Sequence, residues 1–165
     1  MLVFPLLCAV SLGFSQSDGI QQGKLIIVGG GSMADSLYHI FGQFAGGKDK
    51  QMVIIPTAMS DGDIAENKFK DRFEKLGFSS IKVVHTRDKS EANLPENVLK
   101  IQQASAIYFT GGDQSRIADA FLGTKVHDEL KRLLERGGVI MGSSAGATIM
   151  GTLLIGGDAR SFPNI

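Results

Sequence analysis

The 165-residue chain has one cysteine, Cys8, three histidines, and no surplus of charge, with 17 Lys+Arg against 17 Asp+Glu. A lone cysteine provides no disulfide framework. No two of His39, His85 and His127 stand at metal-ligand spacing with each other or with Cys8, so neither a metal nor another cofactor is expected. Balanced charge without a basic run argues against nucleic acid or an anionic membrane surface as partner. The one long apolar run, Leu2 to Phe14, falls short of the roughly 20 residues that span a bilayer, so stable membrane insertion is not expected. No internal repeat or low-complexity segment interrupts the rest.

The apolar run fits the central region of a secretory signal, and Gly13 and Ser15 supply small residues for cleavage after Ser15. No Lys or Arg precedes Lys24, so the positive end of such a signal rests on the amino terminus. A buried N-terminal strand is the competing reading. A lipid anchor on Cys8 is disfavoured by the bulk of Leu7 before it. The expectation is a signal peptide over 1–15, a secreted or periplasmic protein, and a mature chain without thiol or cysteine nucleophile.

What is present is a hydrophobic content of 43% and 21 glycines, many of them just after apolar runs. Leu25–Val28 ends at Gly29-Gly30-Gly31, Met52–Ile55 at Pro56, and Ile81–Val84 near His85. Ala106–Phe109 ends at Thr110-Gly111-Gly112, and Gly138–Met141 ends at Gly142. Runs apolar throughout suggest strands buried on both faces, as in parallel sheets. Helices are expected from Ser32 or Asp35 to Phe44, over Asp61–Leu76 with Gly77 closing, over Gln114–Leu122, and over Thr124–Glu135. Asp88–Pro95 reads as a loop. Strands alternating with helices predict an α/β three-layer sandwich with a mainly parallel sheet.

In such sheets ligands bind beyond the carboxyl ends of the strands. Gly29–Ser32, Thr110–Gln114 and Gly142–Ala147 converge there. The last has the pattern G-x-S-x-G, between a strand and a small-residue helix start at Ala145–Met150. That context points to a nucleophile elbow with Ser144 at the helix N-terminus. The N–H of Ala145 and one from Gly111-Gly112, assigned to Gly112, would form an oxyanion hole. A glycine-rich phosphate turn is the bland alternative. Gly29–Ala34 also invites a dinucleotide reading, but no acidic residue follows the second strand, which ends Ile55-Pro56-Thr57-Ala58. Among the histidines only His85, at the carboxyl end of its strand, is kept as a candidate base. His127 reads as a solvated helix residue.

Tyr108-Phe109-Thr110-Gly111-Gly112-Asp113-Gln114 followed by Gly142-Ser143-Ser144-Ala145-Gly146-Ala147 resembles the cyanophycinase and dipeptidase E family of serine peptidases, its cyanophycinase branch in particular. The resemblance runs from about Lys24 to the end of the chain. It implies a flavodoxin-like sandwich, shared with class I glutamine amidotransferases, whose elbow carries cysteine where this chain has Ser144. It implies that Ser144 attacks a peptide carbonyl beside aspartate, releasing β-Asp-Arg units from a cyanophycin-like polymer. It also implies that Gln114 helps to bind substrate, with Asp113 and Gly111 beside it. The family's histidine follows its serine, whereas all three here precede Ser144. Residues 24–165 are therefore expected to be the N-terminal part of one peptidase domain. Two other functions compete: a non-catalytic peptide-binding module, and an esterase of α/β-hydrolase type. A homodimer is compatible with all of these.

Overall fold

The computed structural model describes residues 23–66 and 68–152. The expected signal peptide, Cys8 and the segment after 152 lie outside them. Strands β1 (Lys24–Val28), β2 (Met52–Ile55), β3 (Ile81–Val83), β4 (Ala106–Phe109) and β5 (Val139–Ser143) form one sheet in the order β1-β5-β4-β2-β3. Every neighbouring pair is parallel.

Helix α1 (Asp35–Phe44) links β1 to β2, and helical residues α2 (Asp61–Glu66) and α3 (Lys68–Lys75) lie between β2 and β3. Then come α4 (Lys89–Ala92), α5 (Pro95–Gln102), α6 (Gln114–Phe121), α7 (Lys125–Glu135) and α8 (Ala145–Thr148). The connections β1 to β2 to β3 run one way across the sheet, and those from β3 to β4 to β5 run back. Right-handed crossovers therefore put the first helices on one face and the later ones on the other.

The core divides accordingly. On one face Met52, Ile54, Tyr108 and Met141 pack with Phe41 of α1 and Phe73 of α3. On the other, Val53, Ile55, Ile107 and Ile140 meet Ile101, Ile117, Val126 and Leu133 of α5, α6 and α7. Alternating side chains of one strand thus feed both layers, which is why β2 and β4 are buried at every position. Burying an aliphatic side chain of this size contributes about 1.5–3 kcal/mol. The three-layer α/β sandwich with a parallel sheet is as expected from the sequence.

Three expectations are corrected. β1 and β3 are edge strands: Leu25 and Ile27 are 47% and 65% exposed, so their apolar run does not mean burial on both faces. Asp88–Pro95 is not a loop. Asp88 caps α4 by accepting from the Ser90 N–H, and Pro95 opens α5, where its missing N–H costs nothing. Helix α1 has Ala34 at its N-cap position and no side-chain cap, so neither Ser32 nor Asp35 plays that part.

Candidate active site

The carboxyl ends of β1, β4 and β5 bring three glycine-rich segments together. β1 leaves toward α1 on one face and β5 leads into α8 on the other. Ser144 therefore sits where the chain diverges between these paired strands, the position at which open α/β sheets bind ligands. A Cβ on Gly30 would lie 3.7 Å from the Cβ of Ser144, and one on Gly111 would lie 3.3 Å from it. These segments are therefore in contact, as their position in the sequence anticipated.

The turn at Ser144 is abrupt. Ser144 has φ 51° and ψ −115°, and it is the one non-glycine residue with positive φ among those described. Its neighbours explain how the chain closes this way. A Cβ on Gly142 would come 2.1 Å from the Gly146 carbonyl oxygen, and one on Gly146 2.3 Å from that of Phe109. Only glycine lets the first turn of α8 settle onto β5 and β4 so closely. The N–H of Ser144 donates to the Val28 carbonyl, which ties the turn to β1. The side chain of Ser144 is exposed.

The backbone N–H of Ala145 has no acceptor among the described residues, and neither has that of Gly112. Gly112 adopts φ 138°, and its α-carbon faces the loop after β2, where a Cβ would meet the Ala58 carbonyl oxygen at 2.1 Å. Gly111, one residue earlier, is the glycine that lies against Ser144. Asp113 caps α6: its carboxylate accepts from the Ser115 N–H at 2.8 Å, and its own N–H donates to Ala58. Gln114 follows as the first residue of α6, half-buried.

The histidines do not approach Ser144 in this way. His85 follows β3, three strands from β5, a span of about 14 Å at the usual strand spacing. Its Nδ1 lies 3.1 Å from Thr57 Oγ1, and burial, reinforced by the charge of Arg87, holds its pKa below the ordinary imidazole value. It is therefore not the base for Ser144, because sheet order, invisible in the sequence, separates the two. His39 is exposed on α1. His127 is half-buried rather than solvated: its Nδ1 accepts from the Gly123 N–H at 3.3 Å, and burial lowers its pKa. No side chain among those described hydrogen-bonds to Ser144 Oγ.

Several supporting residues gave no chemical signal in the sequence. Tyr108 Oη and Ser143 Oγ are 3.1 Å apart beneath the turn, and burial raises the tyrosine pKa so that it stays a neutral phenol. Arg87 donates to the carbonyls of Thr57 and Met59 and pairs with Asp61 at 2.8 Å. Arg116 donates to the Met59 carbonyl at 2.8 Å. Two arginines from distant elements thus fix the loop after β2, and that loop holds Gly112 and Asp113 in place. No group of metal-ligating side chains is assembled among the described residues.

This α/β fold is shared with a solved peptidase. The model of peptidase family S51 matches residues 20–162, and the chain belongs to that family. It is 28% identical over 148 residues to a cyanophycinase of Geminocystis herdmanii, covering 87% of this chain and 54% of that one. A cyanophycinase of a Nostoc species is 28% identical over 166 residues, covering 97% and 55%. The crystal structure of a peptidase from an acI-B1 actinobacterium superposes with a TM-score of 0.70 at 28% identity, covering 81% of this chain and 59% of that one. The chain spans about half the length of the curated relatives it matches.

Proposed function

We propose that Ser144 is the nucleophile of a serine peptidase that cleaves peptide bonds next to aspartyl units, releasing β-Asp-Arg from a cyanophycin-like substrate. The observation that carries this reading is the turn itself. A serine held at positive φ, exposed, at the N-terminus of a helix whose first N–H is unpaired is how α/β enzymes present a hydroxyl to a carbonyl. Ser144 Oγ would add to the carbonyl carbon. The N–H groups of Ala145 and Gly112 would receive the oxyanion, and Gln114 with Asp113 and Gly111 would contact the substrate. The aspartyl preference is supported by the likeness to cyanophycinases. The apolar run Leu2–Phe14 is the ground for proposing a signal peptide over 1–15 and export, which N-terminal sequencing of the expressed protein would check.

The Ser144 proton needs an acceptor, and the described residues place none within hydrogen-bond distance. The test therefore uses this chain and a form extended to the length of its relatives, each assayed on cyanophycin and on β-Asp-Arg with and without Ser144→Ala. Hydrolysis that survives Ser144→Ala would overturn the proposal. That no base stands beside Ser144 among the described residues favours one second reading, a peptide-binding module without turnover. Calorimetric binding of the same peptides with no product formed by either form would select it.

A further inference from the structure

We propose that the pocket on the α3 side of Gly111 is a carboxylate-binding subsite, with Arg72 as its principal cation and Lys68 and Thr110 beside it. It rests on the reading of Ser144 as the reacting centre, because Gly111 lines the pocket and also touches Ser144. The pocket holds about 270 Å³, with walls that include Tyr38, Phe69 and Tyr108. Among the described residues Lys68 and Arg72 are its only charged lining residues, and no carboxylate lines it.

Arg72 is held in place for such a role. Its Nη2 donates to Asp35 at 2.5 Å and to the Met33 carbonyl at 3.4 Å, and the guanidinium stands 5.4 Å from the centre of the Tyr38 ring. Its Nε and Nη1 have no acceptor among the described residues. A guanidinium fixed on one side with donors free on another is suited to a planar oxyacid. Lys68 pairs with the exposed Glu66 at 2.6 Å, a contact that solvent weakens and a ligand can replace.

Thr110 supplies the independent observation. It is 4% exposed, it lines this pocket, and its hydroxyl is the one buried side-chain polar atom without a partner among the described residues. A buried hydroxyl without a partner is unfavourable, and an acceptor brought by a ligand would relieve it. The Thr110 hydroxyl and the Nε and Nη1 of Arg72 thus belong to the lining of one space bordered by Gly111, while Nη2 of the same guanidinium is paired with Asp35.

The carboxylate can be an acidic side chain or a chain terminus, and the ligands separate the two. The Ser144→Ala chain is titrated calorimetrically with an aspartyl dipeptide, its asparaginyl isostere, and the C-terminally amidated form of each. Working on Ser144→Ala makes the result independent of turnover, so failure of the pocket and failure of the nucleophile are read separately. A side-chain carboxylate in the pocket gives about tenfold weaker binding of the asparaginyl peptide, and a terminal one gives that loss on amidation. In either case Arg72→Met abolishes the discrimination, and Thr110→Val weakens the preferred ligand several-fold while leaving the melting temperature at or above that of the parent. Equal affinity for all four ligands, discrimination that survives Arg72→Met, or no binding by the folded chain would overturn the proposal.

Discussion

Gly142 and Gly146 lie so close that a methyl group on Gly142 would stand 2.1 Å from the carbonyl oxygen of Gly146. The obstacle is backbone, so it cannot be relieved by a rotamer change. Gly142→Ala is expected to cost about 3 kcal/mol or more, through overpacking between β5 and α8. Gly123 is the control, since it has φ 76° and open space around it. Gly123→Ala should cost only about 1 kcal/mol for the left-handed backbone. Urea unfolding of both variants measures the difference, and equal costs would show that the close approach is not there.

Ser144 carries a positive φ that glycine adopts without penalty. Ser144→Gly is therefore expected to raise stability by about 1 kcal/mol while removing the hydroxyl. Ser144→Ala keeps the strain and should gain nothing. Thermal melts of the two variants decide this without any activity assay.

Asp113 has two candidate roles that a pair of substitutions separates. Its carboxylate caps α6 through the Ser115 N–H. Asp113→Asn should fold like the parent, because asparagine caps equally well, whereas Asp113→Ala should lose about 1 kcal/mol. A loss of peptide binding in Asp113→Asn, measured calorimetrically at unchanged stability, would assign the charge to the substrate.

Acid should weaken the fold through two histidines. Burial lowers the pKa of both His85 and His127, with Arg87 and Lys131 acting in the same sense. In the folded chain both favour the neutral form, so the unfolded chain binds more protons once the pH drops below the ordinary histidine value of about 6.5. Their stabilising contribution is complete above that pH and is lost as pH falls through the folded values. Replacing both by Gln should flatten the pH dependence of the unfolding free energy below about pH 6.5. A slope unchanged by the double variant would contradict the assignment.

The β1 edge of the sheet, uncovered among the described residues, invites a fifth test. Ile27 on β1 is 65% exposed. Ile27→Lys is expected to change stability by no more than about 0.5 kcal/mol and to reduce self-association, as charge on a strand edge does. Sedimentation velocity at increasing concentration reads this out, and a dimer that persists in the variant would place its interface elsewhere.

The sequence by itself determined the architecture and the position of the serine. Apolar runs marked all five strands, four of them ending at glycine or proline and β3 near His85, because a parallel strand buried on both faces, as β2 and β4 are, must be apolar at consecutive positions. Gly142 and Gly146 were readable as the condition for a sharp turn, since that requirement is local. The family was legible for the same reason: its motifs are short segments at strand ends. Tertiary structure alone decided the rest. Which strands lie at the edges depends on crossover direction, so Leu25–Val28 looked like a central strand and His85 like a base within reach. Helices α4 and α5 were hidden because a polar N-cap and a turn are written in the same residues. Arg87 and Arg116 fixing the loop after β2, Tyr108 beneath Ser143, and Arg72 with Thr110 facing one pocket are contacts between residues far apart in the chain. No spacing rule encodes such contacts; they exist only once the sheet has set its order and the helices have been packed on its two faces.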